Sequence, residues 1–128
     1  MGAGVPIIEL VDCAINDGLS GLEWAAGLPE TVTIGGAIRG NAGAFCRETK
    51  DIVKEVISLD ISGKKAEIIK RKNKDCDFDY RSSIFKKNKG NEIVLEAILV
   101  FEKGDKEVIS AAAQKNIKHR HRNQPLDY

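Results

Sequence analysis

The eleven residues from Gly35 to Phe45 (Gly-Gly-Ala-Ile-Arg-Gly-Asn-Ala-Gly-Ala-Phe) hold four glycines and three alanines. Glycine lacks the β-carbon that keeps a neighbour away, and it costs chain entropy on folding, so such a run marks a backbone that something approaches closely. A second run, Gly18-Leu19-Ser20-Gly21-Leu22-Glu23-Trp24-Ala25-Ala26-Gly27-Leu28-Pro29, precedes it. The residues alone leave two readings open in equal measure: the chain packs tightly on itself, or a cofactor lies against it. Closely spaced backbone N–H groups near a helix start can cradle a pyrophosphate. The short phosphate-binding fingerprints are nevertheless not met. Gly35 and Gly40 have P-loop spacing, but Asn41-Ala42 stands where Lys-Ser or Lys-Thr is required, and no G-x-G-x-x-G follows a predicted strand.

The length of 128 residues suits one domain with one core. A net charge of +1 gives no field that would draw nucleic acid or an anionic membrane, which points to a small-molecule partner. Cys13, Cys46 and Cys76 are odd in number and form no Cys-x-x-Cys pair, a pattern of reduced thiols in a cytoplasm. No apolar run reaches the ~20 residues of a membrane span, and no basic segment followed by an apolar core opens the chain. The expected location is therefore soluble and cytoplasmic.

The periodicity predicts an α+β fold, a small antiparallel sheet flanked by helices. Ile7, Leu10, Val11, Ala14 and Ile15 recur at three and four residues between Pro6 and Gly18, an amphipathic helix with its stop signal. A short helix is expected over Gly21 to Ala26, with Leu22, Ala25 and Ala26 inward and Trp24 capping or packing, and a glycine-rich connection after it. Ile52 to Ile61 alternates as a strand, Ser62-Gly63-Lys64 supplies a turn, and Lys64 to Lys70 is its partner, with Ala66 and Ile68 on one face. Ile93, Leu95, Ala97, Leu99 and Phe101 are expected as the inward row of a later strand. Gly104-Asp105 starts a terminal helix with Val108, Ile109, Ala112, Ala113 and Ile117 as its stripe, ended by Pro125.

Phe78-Asp79-Tyr80-Arg81-Ser82-Ser83-Ile84-Phe85 is the other chemistry-bearing segment. The planar guanidinium of Arg81 can grip a carboxylate through two parallel hydrogen bonds. Spacing alone favours a surface pair with Asp77 or Asp79 instead. His119 and His121, at i and i+2 on a helix, point to nearly opposite faces and do not share a metal ion, so none is expected. Lys118, Arg120 and Arg122 suit a helix C-terminus. No carboxylate pair among Asp60, Glu67, Asp75, Asp77 and Asp79 dictates acid and base roles, and Ser82 and Ser83 have no histidine partner nearby.

Taken in order, Gly2-Ala3-Gly4-Val5-Pro6, the two glycine-rich runs, Tyr80-Arg81-Ser82-Ser83-Ile84-Phe85 and Gln124-Pro125-Leu126-Asp127-Tyr128 resemble the UDP-N-acetylenolpyruvoylglucosamine reductase family of flavoenzymes over nearly the whole chain. The resemblance implies FAD as cofactor, NADPH as reductant, a UDP-sugar substrate and a place in peptidoglycan synthesis. Gly35, Gly36, Ala37, Asn41, Ala42 and Gly43 fall on the family segment against FAD, and Ser20 and Gly21 on its neighbouring contact loop. Arg81 takes the role of polarising the substrate carboxylate, with Tyr80 and Ser82 positioning it. The family reads Gly-x-Pro-Gly-Thr-Val-Gly-Gly-Ala where this chain has Glu30 for a glycine and two extra residues before Gly35. A carboxylate beside a pyrophosphate repels it, so the flavin contacts there are expected to differ.

The resemblance casts residues 1–128 as the second half of a FAD-binding domain of the vanillyl-alcohol-oxidase (PCMH) type. The N-terminal phosphate-binding half, the Pro-Ser-x-Gly-Ser segment with its proton-donating serine, and the substrate domain find no match in this sequence. Catalysis by this chain alone is therefore not expected. The rival reading is a non-catalytic FAD-domain piece acting as a binding or interaction module, through a complementing fragment or self-association, with exposed apolar surface as its signature. A general nucleotide-binding domain, resting on glycine content and basic loops, is a third.

Overall fold

A computed structural model describes residues 1–123; Gln124 to Tyr128, and with them the expected helix stop at Pro125, lie outside the described residues. Helix α1 (Ile7–Asn16) forms where the three- and four-residue spacing predicts it, with Pro6 as N-cap and Ile7, Leu10, Val11 and Ala14 buried. Gly18, at φ 66, ends it by taking the left-handed conformation that glycine adopts freely. Strand β1 (Leu19–Ser20) and a 3-10 turn (Glu23–Ala25) follow, and Leu22, Trp24, Ala25 and Ala26 are all buried.

The glycine-rich connection is in fact a helix. In α2 (Ile34–Gly40), Thr33 caps the start by accepting from Gly36 N–H at 3.2 Å, and Ile34, Ala37 and Ile38 are buried. One-face burial outweighs the poor helix propensity of three glycines. Of the two extra residues before Gly35, Thr33 is the cap and Ile34 the first buried position, so the insertion is absorbed as a helix start. Glu30 is exposed. Strands β2 (Gly43–Ala44) and β3 (Arg47–Glu48) then make a tight hairpin.

The main sheet contains β4 (Val53–Asp60), β5 (Glu67–Lys72) and β6 (Glu92–Leu99), ordered β5-β4-β6; its strands are antiparallel as expected, and β5 lies further along than the expected Lys64 to Lys70. The N-terminal residues extend it: Ala97 N–H donates to Met1 C=O at 2.8 Å and Ala3 N–H to Leu95 C=O at 2.8 Å. Helix α3 (Ile84–Lys87), strand β7 (Glu102–Lys103) and helix α4 (Lys106–Asn123) complete the chain, with β7 pairing β1. Asp105 starts α4 as expected, accepting from Glu107 N–H at 2.8 Å.

The expected inward row of β6 needs correction. Opposite β4 the register runs Ile57↔Glu96 and then Ser58↔Val94, so Leu95 is an extra residue. That bulge reverses the alternation. Glu92 and Ala97 are buried, while Ile93 and Leu95 are exposed. Val108 on α4 is likewise exposed. The helices cover one face of the sheet, where Val56 and Ala97 join α1, α2 and the Trp24 turn in the core. The other face carries Ile68, Ile93 and Ile98 at 61%, 46% and 46% exposure. Among the described residues no helix is long and apolar enough to cross a membrane.

Candidate functional site

Asn41 is the joint of the site. It is the C-cap of α2, in the left-handed region at φ 45 that asparagine tolerates better than most residues, and it is 1% exposed. Its Nδ2 donates to Glu48 Oε2 and to Asp79 C=O, both at 2.9 Å, while its Oδ1 accepts from Lys50 N–H at 3.0 Å. One buried side chain thus ties the glycine-rich helix to the β2–β3 hairpin and to the arginine segment. Ser83, also buried, adds a second tie by donating to Arg39 C=O at 2.6 Å.

The arginine segment is a tight turn. Asp79 and Ser82 exchange backbone hydrogen bonds of 3.0 and 3.1 Å, and Arg81 sits between them at φ 51. Arg81 is exposed, and its guanidinium lies 5.5 Å from the centre of the exposed Tyr80 ring. Asp77 pairs with Lys87 at 2.6 Å, and Asp79 accepts from Tyr80 N–H, so the alternative pairing of Arg81 with either aspartate is not formed. A cavity of about 240 Å³ is lined by Asn41, Gly43, Ala44, Cys46, Arg47, Glu48, Tyr80 and Arg81. Two segments separated by nearly forty positions in sequence therefore meet on one wall.

The other expected site residues are distributed elsewhere. Ser20 and Gly21 line a second cavity of about 180 Å³ with Trp24, Arg47 and Asn116. Gly35 and Gly36 line a third, of about 290 Å³, with Arg39 and Phe85. Ala37 is buried on the inner side of α2, Ser82 is half-buried in its turn, and Ala42 accepts from both the hydroxyl and the N–H of Thr49. A β-carbon at Gly35 would stand 2.9 Å from Ala3 Cβ, and one at Gly43 would collide with the Arg47 carbonyl. At those two positions the chain's own atoms fill the space.

Whether these residues suit FAD can be judged from the cavities. Sites for small molecules run to about 300–1,000 Å³, so neither the 180 nor the 240 Å³ cavity encloses a dinucleotide. Each suits a part of one. Trp24 lines the smaller cavity, and its buried Nε1 has no hydrogen-bond partner among the described residues. The larger cavity offers guanidinium groups to an anion.

Two carboxylates stiffen the surroundings. Burial pushes the Glu23 carboxyl up, but hydrogen bonds from Gly21 N–H (2.6 Å) and the Ser20 hydroxyl (2.7 Å) pull it below the ordinary value. Glu92, 4% exposed, is also raised by burial and lowered further by its partners. Arg71 grips it through Nε at 2.7 Å and an η nitrogen at 3.0 Å, and Ser58 and Asn88 donate at 2.6 and 3.0 Å. The Arg71 guanidinium is held above its usual value by the same pair. Burial pushes the nearby Cys76 thiol up to about 11.

Sequence reasoning missed Arg47, Glu48 and Asn116. Arg47 lines two of the cavities, Glu48 holds Asn41, and Asn116 Nδ2 donates to Glu23 C=O at 2.8 Å across 93 positions. Arg47 and Glu48 follow the glycine-rich run directly, and a hairpin prediction at Phe45-Cys46 would have folded them back beside Gly43 and Ala44; Asn116 carries no local signal. Arg120, expected as a cation of the helix end, is 6% exposed and donates to Trp24 C=O at 2.6 Å. His119 is exposed, as expected, and meets Phe45 edge-on at 5.2 Å.

No family model matches the chain. Curated proteins named UDP-N-acetylenolpyruvoylglucosamine reductase do. The chain is 38% identical over 127 residues to that of Staphylococcus saprophyticus, covering 99% of this chain and 39% of the relative. It is 40% identical over 128 residues to that of Fervidobacterium nodosum, covering 100% and 39%. The crystal structure of UDP-N-acetylenolpyruvylglucosamine reductase from Thermus caldophilus superposes with a TM-score of 0.80 at 28% identity, over 96% of this chain and 42% of that one. In sequence and in fold, the chain is a homologue of part of UDP-N-acetylenolpyruvoylglucosamine reductase, spanning about two fifths of the length of the curated relatives it matches.

Proposed function

We propose that the chain is the second half of a FAD-binding domain of the vanillyl-alcohol-oxidase type and carries part of the site at which UDP-N-acetylglucosamine enolpyruvate is reduced to UDP-N-acetylmuramate, in cytoplasmic peptidoglycan precursor synthesis. The convergence of Asn41 and Gly43 with Tyr80 and Arg81 on one cavity supports this reading. Ser20, Gly21, Gly35, Gly36, Asn41, Ala42 and Gly43 would hold the flavin nucleotide, with Ala37, buried in the core, packing α2 beneath it. When bound, FAD would supply the hydride that NADPH provides. Arg81 would bind the enolpyruvyl carboxylate through two parallel hydrogen bonds and stabilise the negative charge that reduction drives onto it. Tyr80 would steady the guanidinium with its ring, and Ser82 would hold the turn. Asn41, by fixing Asp79 C=O, sets where that turn stands.

The visible spectrum of the purified chain, taken after incubation with excess FAD and desalting, tests the cofactor half of this reading. Retained flavin supports it; a colourless protein overturns it for this chain. A second reading, a binding module that complements a separate polypeptide, is favoured by the exposed apolar face of Ile68, Ile93 and Ile98. NADPH oxidation dependent on the enolpyruvyl sugar nucleotide favours the enzyme, and retained flavin without turnover favours the module.

A further inference from the structure

The resemblance supplies one arginine to the cavity beside Asn41, and the fold supplies two. Arg47 and Arg81 both line it, from turns that are 34 positions apart in sequence. Neither guanidinium forms an ion pair among the described residues. The one carboxylate on the same wall, Glu48, is already engaged: it accepts from Asn41 Nδ2 at 2.9 Å and stands 3.6 Å from Lys50 Nζ. Lys86 sits at the same turn, donating to Arg81 C=O at 2.9 Å. The wall therefore presents positive charge without an internal partner.

Both arginines are held by short-range structure. Arg47 pairs with Ala44 across a two-residue hairpin, which sets its backbone relative to Gly43. Arg81 occupies the third position of the Asp79–Ser82 turn, which Asn41 ties to the same hairpin through Glu48. Two like charges brought to one cavity repel each other. An anion placed between them removes that repulsion and receives up to two bidentate guanidinium contacts, which a single arginine cannot give.

We propose that Arg47 joins Arg81 in one anion-binding site, so that this cavity takes a ligand carrying two anionic groups, in the reductase reading the substrate carboxylate at Arg81 and a phosphate at Arg47. The choice of a phosphate-bearing ligand rests on the reductase reading; the pairing of the two arginines does not.

The test is titration of the full chain with sodium pyrophosphate, followed by amide and arginine Nε–H nuclear magnetic resonance shifts. Saturable shifts are expected at Gly43, Cys46, Arg47 and Arg81. Arg47→Gln and Arg81→Gln should each weaken binding about ten-fold or more, the usual scale for a charged hydrogen bond. Inorganic phosphate, with one anionic centre, should bind about ten-fold more weakly than pyrophosphate. Lys54→Gln, exposed on β4 outside the cavity, should bind as the parent does. Unchanged amide shifts in β4 and α4 establish that each variant is folded. Parental affinity in Arg47→Gln overturns the proposal, as do equal affinities for phosphate and pyrophosphate or shifts confined to the lysine-rich loops. Pyrophosphate binding in a chain that retains no flavin sustains the two-arginine site while the reductase reading fails. Flavin retention together with an indifferent Arg47→Gln does the reverse.

Discussion

Replacing Asn41 by alanine tests whether one side chain couples the glycine-rich helix to the arginine turn. Asn41 makes three hydrogen bonds, to Glu48, Asp79 C=O and Lys50 N–H, and is 1% exposed. A net contribution of about 0.5–1.5 kcal/mol each gives about 1.5–4.5 kcal/mol. Alanine also lacks the short polar side chain that lets asparagine tolerate a φ of 45, adding about 1 kcal/mol of left-handed strain. The expected loss is about 2.5–5.5 kcal/mol, a large part of the stability of a small domain. Asn41→Gly removes the same hydrogen bonds without that strain, so it should be about 1 kcal/mol less destabilised than Asn41→Ala. Urea unfolding with an unchanged m-value measures both. Amide exchange should also rise at Ser82 relative to β4, because the turn loses its tether to α2. A loss below about 1 kcal/mol in Asn41→Ala, or equal exchange at Ser82, would refute the coupling.

Glu92→Gln leaves the Arg71 guanidinium half-paired against a buried wall and should cost about 3 kcal/mol in urea unfolding. Because the folded Glu92 carboxyl lies below its ordinary 4.5, its contribution is present above that pH and is lost as pH falls through the folded value; the acid limb of a stability–pH curve should therefore flatten in Glu92→Gln. Cys46 occupies φ 64 in the two-residue hairpin, so Cys46→Gly should raise the unfolding free energy measured in urea, by about 1 kcal/mol or less after the entropy glycine adds to the unfolded chain. At pH 8 a thiol reagent should label Cys13 and Cys46, which are exposed, and spare Cys76, whose thiol is buried and pushed up to about 11; the third label should appear only in denaturant.

The elements written in local spacing were legible. Pro6, the Ile7-to-Ile15 periodicity and Gly18 are enough for α1, because its core face is decided within two turns. Val53 to Asp60 became β4, but its buried residues beyond Val53 are Val56 and Ser58 rather than Ile57 and Leu59, because the register shifts after Val53. The failures are non-local. Ile93, Leu95, Ala97 and Leu99 alternate on paper, yet the bulge at Leu95 is set by pairing with β4 and reverses the faces. Composition read Gly35 to Gly40 as connection, although Thr33 followed by Ile34, Ala37 and Ile38 carried the helix signal; three glycines masked it. For the site, Arg81 is singled out by the resemblance, its spacing alone favouring a surface pair, and its neighbours could not be. Asn41 reaches Asp79 across 38 positions and Arg120 reaches Trp24 across 96, distances over which no local pattern operates.

Backbone strain gives an independent line on where the function lies. Among the described residues, six other than glycine take positive φ, and three of them, Asn41, Cys46 and Arg81, line the same cavity, with Phe45 adjoining in the hairpin. Such conformations cost about 1–3 kcal/mol each and persist only where the surrounding structure over-determines them. Over-determination is visible at two of the three: Asn41 through its three hydrogen bonds, and Arg81 through the Asp79–Ser82 exchange. Cys46 has only the short β2–β3 pairing to hold it. A chain selected for packing alone would place glycine at Cys46 and Arg81, as it does at Gly18, Gly21, Gly27 and Gly90. An arginine kept at the tip of a strained turn, with a second guanidinium on the same wall, is the arrangement the proposed anion site would use.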